Sequence, residues 1–517
     1  MRFFVLKEEL DFDLSKLQGF LPQLSSGVSV DSYRRWLLRC LRRFGPIVPL
    51  SKEDLTEKRL SSYLKKEGAI LVTISLFPDV VGWEKIARRQ LILSLGNLLV
   101  PEGLFHSRLL PSAQALLVST NFQVRCLQRY LGKSIGYLAV FPPFIDTEFY
   151  RPPSHKEKNL ARKRFGVAQD EFHIVFAGRW IVTKGVYQLI RCLDKWPLKN
   201  MKVSLTAELI PDEKKAGLSR QQEFILFMDK EVFRKRRTWL KINQARRDKK
   251  FLRELFWSAD IFVNPSVHPD ENYGITPREA LACGVPCLTT NFCGLRPMAD
   301  MMPWQGLDSY PTPVGLRFSL GALRDKLVEV KNSYRSYSAG YFRQLFLKEY
   351  SPDTAVKELE KVLRYLVLQP AQLPLVPQKA ISGIQKELLS NLDPEMLRFL
   401  LKTSKELAEP VLFYGNQPFD YNILAVQSIY AASAVPPKIQ KGQVLGGFFR
   451  IELWPQEKLL VEFASPHPRH KVFTTKDWQI LLSCGHKVGG EYIFIPQTEA
   501  QLGLLQELVD TGYLVGF

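Results

Sequence analysis

Short apolar runs alternate with longer amphipathic stretches along the first two thirds of the chain. The runs at 2–6, 69–74 and 261–263 have the length of buried strands and are bounded by polar or turn-forming residues. Between such runs, apolar residues recur at helical spacing, as they do from Val30 to Gly45. Strands and helices that alternate in this way predict an α/β fold built on doubly wound, mostly parallel sheets.

The same pattern predicts the remaining elements and the domain boundaries. We expect further strands at 47–50, 98–100, 115–118 and 136–140, and helices at 82–95, 122–131 and, as a pair, 339–366. A Pro-rich stretch from Pro370 to Pro377 then has the composition of a linker. We therefore divide the chain into a domain at 1–152, a domain at 153–369, a linker at 370–383 and an extra α+β domain of unknown role at 384–517.

Residues 259–294 combine this alternation of strand and helix with side chains that could bind a ligand. A strand and a polar loop precede Thr276, which is predicted to be the N-cap of a helix that ends at Gly284. Ligands of open α/β sheets bind at the carboxyl ends of strands, often against a helix N-terminus. Glu271 and Glu279 flank this helix start, so both are candidate ligands. For Glu279 the alternative is a capping box, because it follows Thr276 at the required spacing.

A second loop of this kind follows an earlier strand. Gly178 and Arg179 end the apolar run that begins at His173, and Lys184-Gly185 then opens a helix. A glycine turn lets the backbone approach a phosphate, while arginine and lysine supply positive charge. Alone, the same residues would also fit a surface turn with two unrelated cations.

Together the two loops resemble the donor site of GT-B glycosyltransferases of the large retaining family 4, the glycosyl transferases group 1. The resemblance covers roughly residues 1–369. It implies two doubly wound, Rossmann-like parallel-sheet domains that face a cleft, with the acceptor side at 1–152 and the nucleotide-sugar donor side at 153–369. The residues that carry it are Gly178, Arg179, Lys184, Gly185, Glu271, Gly274, Pro277, Glu279, Gly284 and Pro286.

The resemblance also implies roles for the donor-site residues. Arg179 and Lys184 would hold the donor diphosphate and stabilise the leaving nucleotide. Glu271 would face the transferred sugar, and Glu279 would bind the ribose. The implied donor-binding set is Gly178, Arg179, Lys184, Glu271, Tyr273, Gly274, Ile275, Thr276 and Glu279.

On the acceptor side the resemblance is weaker. Gly27 lies where the family has a glycine-rich loop, and it is the only glycine there. His106 is the candidate for the family's histidine over the transfer point, with Glu102 as the alternative, so the implied catalytic set is Arg179, Lys184, Glu271 and His106. The implied reaction moves a hexose from a UDP- or GDP-linked donor to a saccharide, lipid-linked or glycolipid acceptor. It retains the anomeric configuration and uses neither a metal ion nor another cofactor.

Composition narrows the class of protein. The chain has 517 residues, 46% of them hydrophobic and 24% charged, which is ordinary globular composition. Seven scattered cysteines give no small disulfide framework and favour a reducing compartment. Because no stretch reaches the roughly 18–20 apolar residues that span a bilayer, we expect a cytoplasmic protein, at most peripheral on the inner face of a membrane.

The net charge of +19 at pH 7 favours an anionic partner. The segments Arg34–Arg43 and Lys230–Arg253 contribute to it, either as solvated helix faces or as surfaces for anionic lipid or a phosphorylated acceptor. Two other functions stay open. One is a catalytically degenerate glycosyltransferase-like sensor or scaffold, which the four charged donor residues argue against. The other is a nucleic-acid-binding protein that uses the basic segment Lys230–Arg253 and the C-terminal domain at 384–517. Nucleic acid is less favoured as a partner than a nucleotide-sugar donor.

Overall fold

The computed structural model describes most of the chain in separate ranges. These are residues 1–6, 27–51, 54, 59, 62–63, 68–73, 89–93, 115–124, 137–179, 182–208, 237–244, 248–268, 271, 273–312, 315–368, 411–413, 417–419, 437–446, 449–453, 458–462, 469–488, 491–511 and 513–516. The chain divides into two compact units. One contains Met1–Thr147, Pro269–Ile275 and Phe346–Asn391, and the other contains Glu148–His268, Thr276–Leu345 and Leu392–Phe517.

Strands and helices are numbered here in chain order. The strands are β1 (Arg2–Leu6), β2 (Ile47–Leu50), β3 (Ala69–Thr73), β4 (Gln90–Leu93), β5 (Ala115–Val118), β6 (Tyr137–Val140), β7 (Phe172–Arg179), β8 (Met201–Glu208), β9 (Leu240–Gln244), β10 (Ile261–Asn264), β11 (Cys287–Thr289), β12 (Tyr310–Thr312), β13 (Gly315–Arg317), β14 (Val411–Phe413), β15 (Gln417–Phe419), β16 (Leu445–Gly446), β17 (Phe449–Leu453), β18 (Lys458–Glu462), β19 (Arg469–Val472), β20 (Gly485–Val488), β21 (Glu491–Phe494) and β22 (Val515–Gly516). The helices are α1 (Gly27–Leu41), α2 (His155–Phe165), α3 (Val186–Lys195), α4 (Lys249–Ser258), α5 (Ile275–Ala282), α6 (Arg296–Met301), α7 (Leu320–Ser333), α8 (Ala339–Tyr350), α9 (Pro352–Leu368), α10 (Thr475–Cys484) and α11 (Glu499–Asp510).

The first unit is built on a six-stranded parallel sheet in the order β2-β1-β3-β4-β5-β6. Helix α1 buries its apolar stripe in the core of this unit, with Leu37 and Leu41 fully enclosed. Helix α9 joins the same core through Leu359, Val362 and Leu366. The predicted pair of helices at 339–366 is therefore confirmed, and its second helix returns to the first sheet.

Two predictions for this unit differ from the structure. The helix expected at 82–95 is wrong over 90–93, where β4 pairs with β3 and β5. Leu91 and Leu93 are buried at alternating positions, and a short apolar run of this kind fits a strand as well as a helix until its neighbours are known. Helix α1 begins at Gly27, three residues before the expected start at Val30. The strand expected at 98–100 and the linker at 370–383 lie outside the described residues.

The second unit contains a five-stranded parallel sheet in the order β11-β10-β7-β8-β9. A buried ion pair braces its centre: Arg162 on α2 donates to Asp260, 2.9 Å away, just before β10. Asp260 also accepts the backbone N–H of His173 in β7, so one carboxylate links both central strands to α2. Because β7 and β10 are neighbours and parallel, the loops that follow them emerge at one edge of the sheet.

Residues of the C-terminal region form small antiparallel sheets and two helices. One sheet has the order β20-β21-β16-β22, and another joins β17, β18 and β19. Helices α10 and α11 enclose a separate apolar core that includes Trp478, Leu481, Leu505 and Leu508. Helix α11 is followed by β22, which lies at the edge of the first of these sheets.

Candidate functional site

The loop after β7 carries the first pair of predicted donor residues. The strand ends at Arg179, with Gly178 as its penultimate residue. A turn of 3₁₀ helix spans Val182–Lys184, and Gly185 follows with φ 76° at the N-cap of α3. A side chain at residue 185 would collide with the backbone of Pro265, so this turn needs glycine for its conformation and for its close approach to the next loop. Lys184, directly before this turn, is half-buried.

The loop after β10 clamps the loop that carries Lys184. The Thr183 hydroxyl lies 3.0 Å from the imidazole Nδ1 of His268. The Thr183 carbonyl accepts the Val267 N–H at 2.8 Å and the Ser266 hydroxyl at 3.4 Å. Thr183 is buried and lies directly before Lys184. These three hydrogen bonds therefore hold the backbone next to Lys184 in place.

The predicted donor loop then leads into α5. Glu271 and Tyr273 are both buried, and Gly274 has φ 71° directly before the helix. Helix α5 begins at Ile275, so the predicted N-cap at Thr276 is wrong: Thr276 already lies inside the first turn. The positive φ of Gly274 lets the chain enter the helix at Ile275, two residues before the start that the Thr-Pro pair indicates.

The end of α5 matches the prediction. Gly284 has φ 77° and donates its N–H to the Leu281 carbonyl, while the Val285 N–H bonds the Ala280 carbonyl. This is the pattern of a left-handed C-cap. A Cβ at residue 284 would lie 2.6 Å from the Ala339 carbonyl oxygen, so the glycine also lets α8 approach.

Glu279 projects from α5 toward a tyrosine in the segment that opens the second unit. The Tyr150 hydroxyl lies close enough to the Glu279 carboxylate to lower its pKa. Because the helix already begins at Ile275, Thr276 does not occupy the N-cap position that a capping box with Glu279 requires. Burial raises the pKa of Glu279 to about 7, and the Tyr150 hydroxyl and the charge of Lys249 on α4 partly oppose the increase. The carboxyl group therefore titrates close to neutral pH.

A buried arginine holds α5 in place from another side. The Arg278 guanidinium is fully enclosed and donates from Nη2 to the Gly294 carbonyl at 2.9 Å. Gly294 lies in the turn that follows β11. Cys283 and Cys287, near the end of α5 and in β11, are buried free thiols, as expected for small core residues.

The structure describes some of the other predicted residues and not the rest. Gly27 is the first residue of α1, while His106 and Glu102 lie outside the described residues. For Arg179 the structure describes the backbone at the end of β7. The roles assigned to all of these residues remain predictions.

The two basic segments have different surroundings. On α1 and the turn after it, Arg35, Arg39, Arg42 and Arg43 are exposed, whereas Arg34 is buried. Of Lys230–Arg253, the structure describes 237–244 and 248–253. Within these ranges Arg237 pairs with Asp194, and the Arg253 guanidinium stacks between Phe149 and Trp257 at 4.3 and 4.4 Å from the ring centroids.

The sequence did not single out Tyr150, Thr183 or His268. Thr183 and His268 lie within the two predicted loops, but a hydroxyl and an imidazole in loops carry no pattern that links them. Nothing local indicates that Tyr150 lies near Glu279, more than 100 residues later, and only the tertiary structure reveals this proximity.

Among the described residues, no helix is long and apolar enough to cross a membrane. No group of three or more His, Cys, Asp or Glu side chains is placed to hold a metal ion in those same parts of the chain.

The part of the chain that holds this site is similar to known proteins. Residues 157–301 match the family model for glycosyl transferases group 1. D-inositol 3-phosphate glycosyltransferase from Xylanimonas cellulosilytica is 24% identical over 209 residues, which are 40% of this chain and 47% of that protein. The protein of the same name from Corynebacterium jeikeium is 24% identical over 322 residues, 54% of this chain and 69% of that protein. The chain thus spans about half the length of the first of these relatives.

Solved structures show the fold of the larger part of the chain. Sucrose-phosphate synthase from Thermosynechococcus elongatus is similar with a TM-score of 0.52 and 16% identity, over 71% of this chain and 99% of that one. The Anabaena protein HepE, solved in complex with UDP, gives a TM-score of 0.51 and 16% identity over 70% of this chain and 100% of that one. The two parallel sheets with their covering helices agree with this likeness. The chain therefore has the GT-B fold, and its residues 157–301 match the family model for glycosyl transferases group 1.

Proposed function

We propose that the protein is a glycosyltransferase that moves a hexose from a UDP- or GDP-linked donor to a saccharide, lipid-linked or glycolipid acceptor. Retention of the anomeric configuration is part of the proposal. The observation that carries it is the meeting of two clamped loops at one edge of the second sheet, within the residues that match the family model. One loop presents Lys184, and the other leads into the helix that bears Glu279.

The proposed chemistry is electrostatic. Arg179 and Lys184 neutralise the diphosphate as negative charge develops on the leaving group. The N–H groups at the start of α5 add positive potential, since the first N–H groups of a helix have no partner within it. Glu279 accepts hydrogen bonds from the ribose, and Glu271 faces the sugar. The acceptor hydroxyl attacks from the side of the leaving phosphate, which takes its proton. Cationic side chains and helix N–H groups then act without a metal ion.

A phosphate-bearing acceptor is the first to test. The relatives from Xylanimonas and Corynebacterium are named for D-inositol 3-phosphate, and this chain carries a net charge of +19. The exposed arginines of α1 would attract such an acceptor, or an anionic membrane surface, through long-range electrostatic interactions.

The experiment is calorimetry of the purified chain against UDP and GDP, followed by the matching nucleotide sugars. Binding of one nucleotide sugar would fix the donor class. Nucleotide release with D-inositol 3-phosphate, oligosaccharide or glycolipid acceptors would then identify the acceptor, and the anomeric coupling in the product's NMR spectrum would test retention.

The same experiment separates the competing functions. Failure to bind any nucleotide would move the assignment to a sensor or scaffold that has lost catalysis. A nucleic-acid-binding protein would instead bind single or double strands with an affinity that falls steeply as salt rises.

A further inference from the structure

Arg253 on α4 is held flat between two aromatic side chains. Its guanidinium carbon lies 4.3 Å from the ring centroid of Phe149 and 4.4 Å from that of Trp257. A guanidinium is planar and all five of its N–H groups lie in that plane, so rings that cover its faces leave the N–H groups at its edge. The two rings therefore fix the orientation of the group and leave its hydrogen-bond donors for another partner.

The residues that the structure describes do not supply this partner. Within those ranges the contacts of the Arg253 guanidinium are the two rings, and its Nε is enclosed without a hydrogen-bond partner. The residue as a whole is half-buried, so the terminal Nη groups are the donors that a molecule from solvent can reach. A charged group that is partly removed from water and makes no hydrogen bond raises the free energy of the fold, and a ligand at this edge would lower it.

Three other arginines of the second unit also lie over aromatic rings, and each of them has a carboxylate partner. The pairs are Arg151 with Glu157, Arg164 with Glu254, and Arg324 with Asp325. The carboxylate next to Arg253 in the sequence, Glu254, is thus bound to a different arginine. Stacking on a ring therefore does not by itself leave an arginine of this chain without an anionic partner.

Further positive charge lies around Arg253. Lys249 lies one turn earlier on α4 and is exposed, so the two cations are neighbours on one side of the helix. Arg343 on α8 donates from Nη1 to the Tyr150 carbonyl at 3.0 Å, one residue from the ring of Phe149 that stacks on Arg253. An anion bound at Arg253 would therefore lie in a region of positive potential.

We propose that Arg253 is the centre of a binding site for a phosphate group, with Lys249 as a second source of positive charge. A phosphate group has three acceptor oxygens and about two negative charges at neutral pH, so it can accept two in-plane N–H groups of a guanidinium and also attract the lysine. A carboxylate carries one charge and would be held by the guanidinium alone. Helix α4 carries none of the residues assigned to the nucleotide-sugar donor, so the site is a further one and does not depend on the proposed function.

The test is calorimetry of inorganic phosphate with the full chain, at constant low ionic strength and about pH 7.5, where phosphate is mostly a dianion. Arg253→Gln keeps a planar end between the rings and removes the charge, so we expect affinity to fall at least about tenfold, the loss of one charge-assisted hydrogen bond. Arg253→Lys keeps the charge without the planar fork and should bind phosphate about threefold more weakly than the unaltered chain. Arg324→Gln is the matched control, because it changes a ring-stacked arginine that already pairs with Asp325, and it should leave phosphate affinity unchanged.

A hexose phosphate, titrated in the same way, identifies the source of the phosphate group. Tighter binding than that of inorganic phosphate, lost in Arg253→Gln, would assign the site to a phosphorylated sugar. Equal or weaker binding would assign it to free phosphate. Acetate supplies the comparison with a carboxylate and should bind much more weakly than phosphate.

Lys184→Ala separates this site from the donor loops, where inorganic phosphate could also bind. Binding that persists in Lys184→Ala and is lost in Arg253→Gln would support the inference. Binding that is lost in Lys184→Ala and kept in Arg253→Gln would belong to the donor loops and overturn it. The inference is also overturned if the unaltered chain binds no phosphate, or if acetate binds as tightly as phosphate. Should Arg253→Gln fail to fold, unchanged phosphate affinity in Arg253→Lys would overturn it.

Discussion

Thr183→Val tests whether the contact between the two loops positions Lys184. Valine has nearly the shape of threonine, so the change removes the hydroxyl that lies 3.0 Å from His268 Nδ1 and little else. The Thr183 carbonyl keeps its bonds from Val267 and Ser266, so the loop should stay folded.

The expected loss in the free energy of unfolding follows from the hydrogen bond that the substitution removes. One neutral hydrogen bond is worth about 1 kcal/mol net, and the imidazole nitrogen left without its partner adds a similar cost. We expect a loss of about 1–2 kcal/mol in the free energy of unfolding, or about 2–8 °C in melting temperature for a unit of this size. A displacement of about 1 Å within a site can weaken binding by more than the accompanying loss of folding stability. We therefore expect affinity for the nucleotide to fall at least about tenfold.

The assay combines calorimetry of UDP and GDP with thermal unfolding. Thr183→Ser restores the hydroxyl and should recover most of the affinity. Thr474→Val removes a hydroxyl that accepts the Asp477 N–H at the start of α10, so it should lower the melting temperature without changing nucleotide binding. The reasoning would be refuted if Thr183→Val bound nucleotide as tightly as the unaltered chain while showing the expected loss of stability.

The remaining predictions concern the same site. Arg179→Ala and Lys184→Ala should lower the transfer rate by far more than they lower the melting temperature, and parallel losses in both would contradict their assignment to the diphosphate. Glu279→Gln should weaken nucleotide binding about tenfold, measured by calorimetry, and full affinity would exclude a specific ribose ligand. The same variant should raise the free energy of unfolding above pH 7: a carboxyl whose pKa is raised to about 7 favours the folded state below its ordinary pKa near 4.5, and this contribution is lost as pH rises through 7. Gly185→Ala should destabilise the fold by about 1–3 kcal/mol in denaturant titrations, through its positive φ and its collision with Pro265, and an unchanged midpoint would contradict that geometry. Removal of metal ions with EDTA should leave the transfer rate unchanged because arginine, lysine and a helix start supply the charge, and loss of activity restored by Mg²⁺ would refute that mechanism.

The sequence by itself determined the features that depend on local spacing. The apolar runs of β7, β10 and β11 fix those strands because a buried parallel strand needs an unbroken apolar stretch between turn residues. Gly185 and Gly284 mark the start of α3 and the end of α5 because a left-handed backbone is costly for other residues. The order of these elements, with the charged residues between them, was enough to indicate the family.

Tertiary structure decided what depends on partners distant in the chain. Leu91 and Leu93 fit helix and strand alike, and their place between β3 and β5 made them a strand. Glu279 fits a capping box locally, but the helix begins at Ile275, and the burial of the carboxyl group raises its pKa to about 7. The bond between Thr183 and His268 joins residues 85 positions apart. Such contacts arise from packing, and packing is set by the whole set of neighbours that local spacing does not specify.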